Sequence, residues 1–130
     1  MLQKTRKIIS VILLAITLAI GFSAPSYAAD TLCATVTSEA QPQSGQKNRS
    51  SGNFSTQGCG PRLKWTSPPL IVYRVMRDVS GGTDPVILGA VTNGLVTNAI
   101  NERSLYIANP QNAKQSFQVT VYSTDDPTNN

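Results

Sequence analysis

The sequence has no histidine in 130 residues. That absence excludes the Ser-His-Asp and Cys-His systems, histidine metal ligands, and any side chain that titrates near neutral pH without a displaced pKa. Most hydrolase designs go with it. Cysteine is nearly as scarce: Cys33 and Cys59 are the whole complement, and without a C-x-x-C pair there is no resolving thiol for redox chemistry. Acids are few as well, namely Asp30, Glu39, Asp78, Asp84, Glu102, Asp125 and Asp126. Asp78 and Asp84 flank one Gly-rich turn, across which two carboxylates could approach each other. Asp before Gly or Pro is ordinary turn chemistry, and two carboxylates without EF-hand spacing make a poor calcium site. Ser44-Gly45-Gln46-Lys47 matches S-x-x-K, but it lies in a Gly/Gln-rich segment and neither S-D-N nor K-T-G occurs, so it reads as a chance match. No cofactor or metal is implied.

The N-terminus carries Lys4, Arg6 and Lys7, then an apolar run from Ile8 to Ile20 broken by Ser10 and Thr17, then Ser26-Tyr27-Ala28. This is the pattern of a signal peptide over residues 1–28, cleaved before Ala29. The run is shorter than the roughly 18 to 20 residues needed to span a bilayer, and no second run of that length follows, so no membrane span is expected after cleavage. Removing the three basic residues takes the formal charge from +4 to +1. So small a surplus argues against nucleic acid, whose binding depends on neutralising many phosphates. The expected location is periplasmic or extracellular, where a Cys33–Cys59 disulfide persists.

Residues 29–122 read as a single domain. Leu32, Ala34 and Val36 alternate as a first strand, and a polar stretch rich in Ser, Gln, Asn and Gly follows as a long loop over 38–60, tethered by the disulfide. Two N-x-S sequons, at Asn48 and Asn53, lie in it. Residues 70–76 and 86–91 form a hairpin across Ser80–Pro85, and residues 105–107 and 117–122 read as a second hairpin around Asn109-Pro110-Gln111-Asn112. Leu95, Val96, Ala99 and Ile100 fit a helix face or a strand, with Thr97 and the surrounding asparagines favouring strand. Residues 123–130 hold no apolar side chain and are expected to be disordered. The fold class is all-β: a small antiparallel β-sandwich with one disulfide, the alternative being a partly open β-barrel.

Alternation puts Leu63 and Trp65 in the core and Arg62 and Lys64 outside. With Arg74 and Arg77 on the next strand, these form a cationic patch if the two strands pair. Arg62, Lys64, Arg74 and Arg77 are therefore the candidate ligand-binding residues, and an anionic glycan or an acidic protein surface is the partner that fits them. The leading expectation is a non-enzymatic binding module at the cell envelope or outside the cell. A structural or adhesive, pilus-like subunit that donates Thr31 to Thr37 as an edge strand is the alternative. A small histidine-free enzyme is the third reading.

Overall fold

The computed structural model describes residues 29–40 and 48–130. The expected signal peptide, residues 1–28, and the Ser44-to-Lys47 match lie outside the described residues. Seven strands are present: β1 (Thr31–Ser38), β2 (Arg62–Thr66), β3 (Val72–Arg77), β4 (Val86–Val91), β5 (Leu95–Asn98), β6 (Leu105–Gln111) and β7 (Phe117–Ser123). They form two antiparallel sheets, β1-β7-β2-β5 and β4-β3-β6, and no helix occurs among the described residues. The structure is a β-sandwich, not a closed barrel.

Period-two alternation accounts for the core. In β7, Phe117, Val119 and Val121 are buried while Gln118 is exposed; in β2, Leu63 and Trp65 are fully buried between half-buried Arg62 and Lys64. Tyr73, Val75, Val91, Leu105 and Ile107 answer them from the other sheet. Each large aliphatic side chain so buried contributes about 1.5–3 kcal/mol. Phe54 meets Trp65 edge-on, with ring centroids 6.2 Å apart and planes at 72°, the arrangement favoured by aromatic quadrupoles. The Trp65 Nε1–H donates to the Thr97 hydroxyl over 3.1 Å, which satisfies two buried polar groups at once and fixes residues 95–98 as strand.

The first expected hairpin is present, with β3 and β4 paired antiparallel. The second is not. β6 pairs with β3, whereas β7 pairs with β1 and β2, so the chain crosses from one sheet to the other between Gln111 and Phe117. Asn109 and Asn112 take left-handed φ of 50° and 64°, and the Asn112 amide donates to the Leu70 carbonyl over 3.1 Å. These bends carry β6 past the point where a hairpin turn would close. Alternation reports which face of a strand is buried but not which strand lies beside it.

The polar stretch is also more than a loop. Residues 48–56 run along β6: Ser50 N donates to Ile107 O (2.9 Å), Phe54 N to Leu105 O (2.8 Å) and Leu105 N to Phe54 O (2.9 Å). The Ser38 hydroxyl donates to that of Ser50 (2.9 Å), and Ile107 N donates to the Ser51 hydroxyl (2.7 Å). Ser38, Ser50, Ser51 and Thr56 are accordingly buried yet hydrogen-bonded, as buried polar groups must be. This segment shields the edge of β6 and ties it to β1 through a bridge between Ser38 and Ser51.

Cys33 sits where the β1 register shifts between Leu32 and Ala34, and it is bonded to Cys59 with Cα atoms 5.7 Å apart. Immediately after, Gly60 has φ 154°, and a Cβ there would collide with the Ser123 hydroxyl. Only glycine allows the chain to enter β2 so close to the end of β7. β1 itself pairs along its length with β7, from Thr31 with Ser123 to Ser38 with Phe117. Thr31 to Thr37, expected as a donor strand, is thus engaged within its own sheet.

Residues 123–130, expected to be disordered, fold back on the sandwich. Thr124 is buried; its N–H donates to Arg62 O (3.2 Å) and its hydroxyl to Asp30 Oδ1 (2.7 Å). Further on, Asn129 caps the outer edge of β5. Unpaired strand edges invite association, and of the four here those of β5 and β6 are covered by these two polar segments.

Candidate binding surface

The sandwich places the four candidate basic residues apart. β2 borders β5 and β7 in one sheet, while β3 borders β4 and β6 in the other. Arg62 and Lys64 therefore lie on one outer face, and β3 contributes to the opposite one. Arg74 and Arg77 are themselves separated, because residues three apart on a strand point to opposite sides. No single patch is assembled from them.

Each has its own surroundings. The Lys64 ammonium lies 3.0 Å from Asp126 Oδ2 and 3.7 Å from Asp30 Oδ2, and its pKa is held above the usual lysine value, first by the Asp126 hydrogen bond and charge. Arg62 Nη2 donates to the Asp125 carbonyl over 2.9 Å. Arg77 pairs with Glu102 at 3.1 Å. Arg74 alone of the four has no ion pair or side-chain hydrogen bond among the described residues, and it is exposed.

The backbone beside Arg74 is unusual. On one side, Tyr73 pairs with Val91 and Val75 with Leu88, so Gly89 and Ala90 together oppose Arg74. On the other, Val72 pairs with Gln111 and Arg74 with Ala108, so Asn109 and Pro110 together oppose Tyr73. Each is a β-bulge, one on either flank of β3 at nearly the same level, a device that re-aims side chains and bends the sheet locally. Between them lies an open trough of about 480 Å³, lined by Val72, Arg74, Gly89, Ala90, Asn109, Pro110 and Gln111. Gly89 and Ala90 present almost no side chain, so the guanidinium stands in a concavity and not against neighbouring bulk. The trough was missed in the sequence, but Gly89 inside a strand pattern and Pro110 at a strand end were its signals.

A second polar cluster gathers around the β3–β4 turn. The Arg49 guanidinium lies 4.3 Å from the Tyr106 ring centroid, donates from Nη1 to Asp78 Oδ2 (3.3 Å) and from Nε to Ser51 O (3.0 Å). Asn53 accepts from Arg49 and donates from Nδ2 to the same Asp78 oxygen (2.9 Å). Tyr106 OH donates to Asp84 Oδ2 (2.6 Å), and Val79 N to Asp84 Oδ1 (2.9 Å). The Tyr106 hydroxyl holds the Asp84 carboxyl below its ordinary pKa, helped by the Val79 N–H. Burial, together with that anionic partner, pushes Tyr106 up to about 12. Asp78 and Asp84 thus serve different partners and do not form a carboxylate pair facing a cleft. Their cluster stitches residues 48–53, the turn and β6 together. Among the described residues no three Cys, Asp or Glu side chains converge in a metal-binding group.

A pH test follows from the depressed Asp84. A carboxyl whose pKa is lower folded than unfolded adds stability above the unfolded value, about 3.9, and loses it as pH falls through the folded value. Asp84→Asn is expected to lower the urea midpoint at neutral pH, with the difference from wild type closing as the pH falls through the depressed pKa of the folded carboxyl. A gap that stays constant from neutral to acid pH would contradict this account.

No protein-family model, curated protein or solved structure matches the chain.

Proposed function

We propose that the protein is a non-enzymatic, exported binding domain acting at the cell envelope or outside the cell, and that Arg74 in its trough is the contact for an anionic partner. The observation that carries this reading is the exposed guanidinium without an ion pair among the described residues, framed by two bulges, while Arg62, Lys64 and Arg77 are each engaged within the fold. Guanidinium groups recognise carboxylate and sulfate through paired N–H donors, which fits an anionic glycan or an acidic protein surface. Export is supported by the N-terminal signal pattern and agrees with the Cys33–Cys59 disulfide, which suits an oxidising compartment. The non-enzymatic part is supported by the missing histidine and by the use of Asp78 and Asp84 as structural partners.

The test uses immobilised heparin, which presents both sulfate and carboxylate, and an array of sulfated and uronate-bearing glycans. An exposed contact of this kind gives weak capture that fades with salt, since the Debye length shrinks from about 10 Å at 0.1 M to about 3 Å at 1 M. Arg74→Glu is expected to abolish retention at low salt, with stability changed by less than about 0.5 kcal/mol, as at other exposed positions. Arg74→Lys should retain part of it, the charge remaining but the fork being lost. Retention of folded Arg74→Glu equal to that of wild type would exclude the trough.

A further inference from the structure

The opposite outer face, formed by β2 and β5, carries a different arrangement. Lys64 pairs in register with Val96, and Arg62 with Asn98, so Val96 belongs to the outside of the sandwich. It is nevertheless only 3% exposed and stands outside the hydrophobic core cluster. Its backbone is held by the tail: Asn129 N donates to Val96 O (3.2 Å), Val96 N donates to Asn129 Oδ1 (2.7 Å), and Asn129 Nδ2 donates to Gly94 O (3.1 Å). One asparagine thereby plays the part of an added strand on the outer edge of β5. Upstream, Asp126 meets Lys64 and the Asp125 carbonyl meets Arg62.

We propose that the outer face of β2 and the edge of β5 form a binding site for an extended acidic peptide of a partner protein, and that the chain's own tail, Asp125 to Asn130, fills this site in cis. Three observations carry the inference. First, the charges are complementary: the two cations on the face, Arg62 and Lys64, outnumber the one acid outside the tail that lies beside Lys64, Asp30, and the segment seated on it carries two aspartates. Second, the edge of β5 offers main-chain groups, Val96 N–H and O and Gly94 O, which the tail meets with one backbone N–H and one side-chain amide, and such edge groups are what strand-adding peptides pair with. Third, the fit of the tail is incomplete. Arg62 Nε is buried and has no hydrogen-bond partner among the described residues, while Nη2 beside it donates only to a backbone carbonyl. A carboxylate at that position takes both N–H groups of the fork side-on, so a peptide with an acid where the tail offers a carbonyl makes a contact that the tail lacks.

The tail is also suited to being displaced. Asp125 to Asn130 are all exposed and bring no apolar side chain, and exposed ion pairs such as Lys64 with Asp126 hold weakly. Its advantage over a peptide in solution is tethering, which supplies a high effective concentration. This site lies on the other sheet from Arg74 and does not depend on the function proposed for that residue.

The experiment follows a fluorescein-labelled synthetic peptide spanning Ser123 to Asn130 by anisotropy. It is titrated with the full chain and with a full-length variant whose tail is released by Asp126→Lys and Asn129→Pro. A chain ending at Thr124, which keeps the buried Thr124 contacts, is the second open form. Saturable binding is expected to either open form, at least about tenfold tighter than to wild type, and it should vanish when Arg62→Glu and Lys64→Glu are added. Absence of saturable binding to folded open forms would overturn the proposal. So would equal affinity for wild type, since the tail would then not occupy the site.

Discussion

Trp65→Ala is expected to lower unfolding free energy by about 3–5 kcal/mol, as large-to-small changes at buried aromatic positions do. Against a total of about 5–15 kcal/mol for a native domain, that is a large fraction of the stability. The loss has three sources in this fold. Trp65 is fully buried between the sheets. Its removal takes away the edge-on partner of Phe54, the apolar anchor by which residues 48–56 hold to the body. It also leaves the buried Thr97 hydroxyl without the indole N–H, and Thr97 is in the short strand on which the tail rests. Equilibrium urea unfolding followed by far-ultraviolet circular dichroism measures the effect. A loss below about 1 kcal/mol, the size of an ordinary substitution, would show that Trp65 is not central to the core.

Removing the disulfide, by Cys33→Ala with Cys59→Ala, is expected to cost about 3 kcal/mol, the chain-entropy value for a loop of this order. The sequence separation is 26 residues, and the bond joins the bulged part of an edge strand to the turn that leads into β2. Without it, the N-terminal half of β1 is held by pairing to β7 alone, and Leu32 there is already 60% exposed. Amide hydrogen exchange in the double variant should therefore quicken most between Thr31 and Ala34, with the central strands β2, β3 and β7 less affected. Uniform acceleration across both sheets would show instead that the bond stabilises the domain only globally. An unchanged urea midpoint would remove the disulfide from the stability of the fold.

Much of the architecture was legible because strands announce themselves through period-two burial: Leu63 with Trp65, and Phe117 with Val119 and Val121, needed only alternation to be assigned inward. The disulfide was legible by count. Partnership was not. β6 and β7 are consecutive and flank turn-like residues, yet they belong to different sheets, and nothing local to Asn109 or Asn112 distinguishes a hairpin turn from a crossing. The same gap undid the cationic patch, since Arg62 and Arg74 were joined on the assumption that neighbouring strands in sequence are neighbours in a sheet. Buried polar segments were the other blind spot. Ser50, Ser51, Thr56 and Thr124 are buried through hydrogen bonds, so hydropathy reports them as loop or tail. The trough at Arg74 depends on register slips on both sides of β3, and only a glycine and a proline hinted at them.

The neighbour relations of β7 also bear on how the chain acquires its structure. Among the described residues β7 is the last strand in sequence, yet it lies between β1 and β2 and joins them. A growing or emerging chain that has not yet delivered residues 117–123 can assemble the β4-β3-β6 sheet but leaves the first strand with no neighbour and the tryptophan-bearing one with only β5. Contacts between the two ends of a sequence are slow to form because the loop they close is long. The sheet that holds the first strand is therefore the last to be completed, and it stays unfinished until residues 117–123 are delivered between β1 and β2.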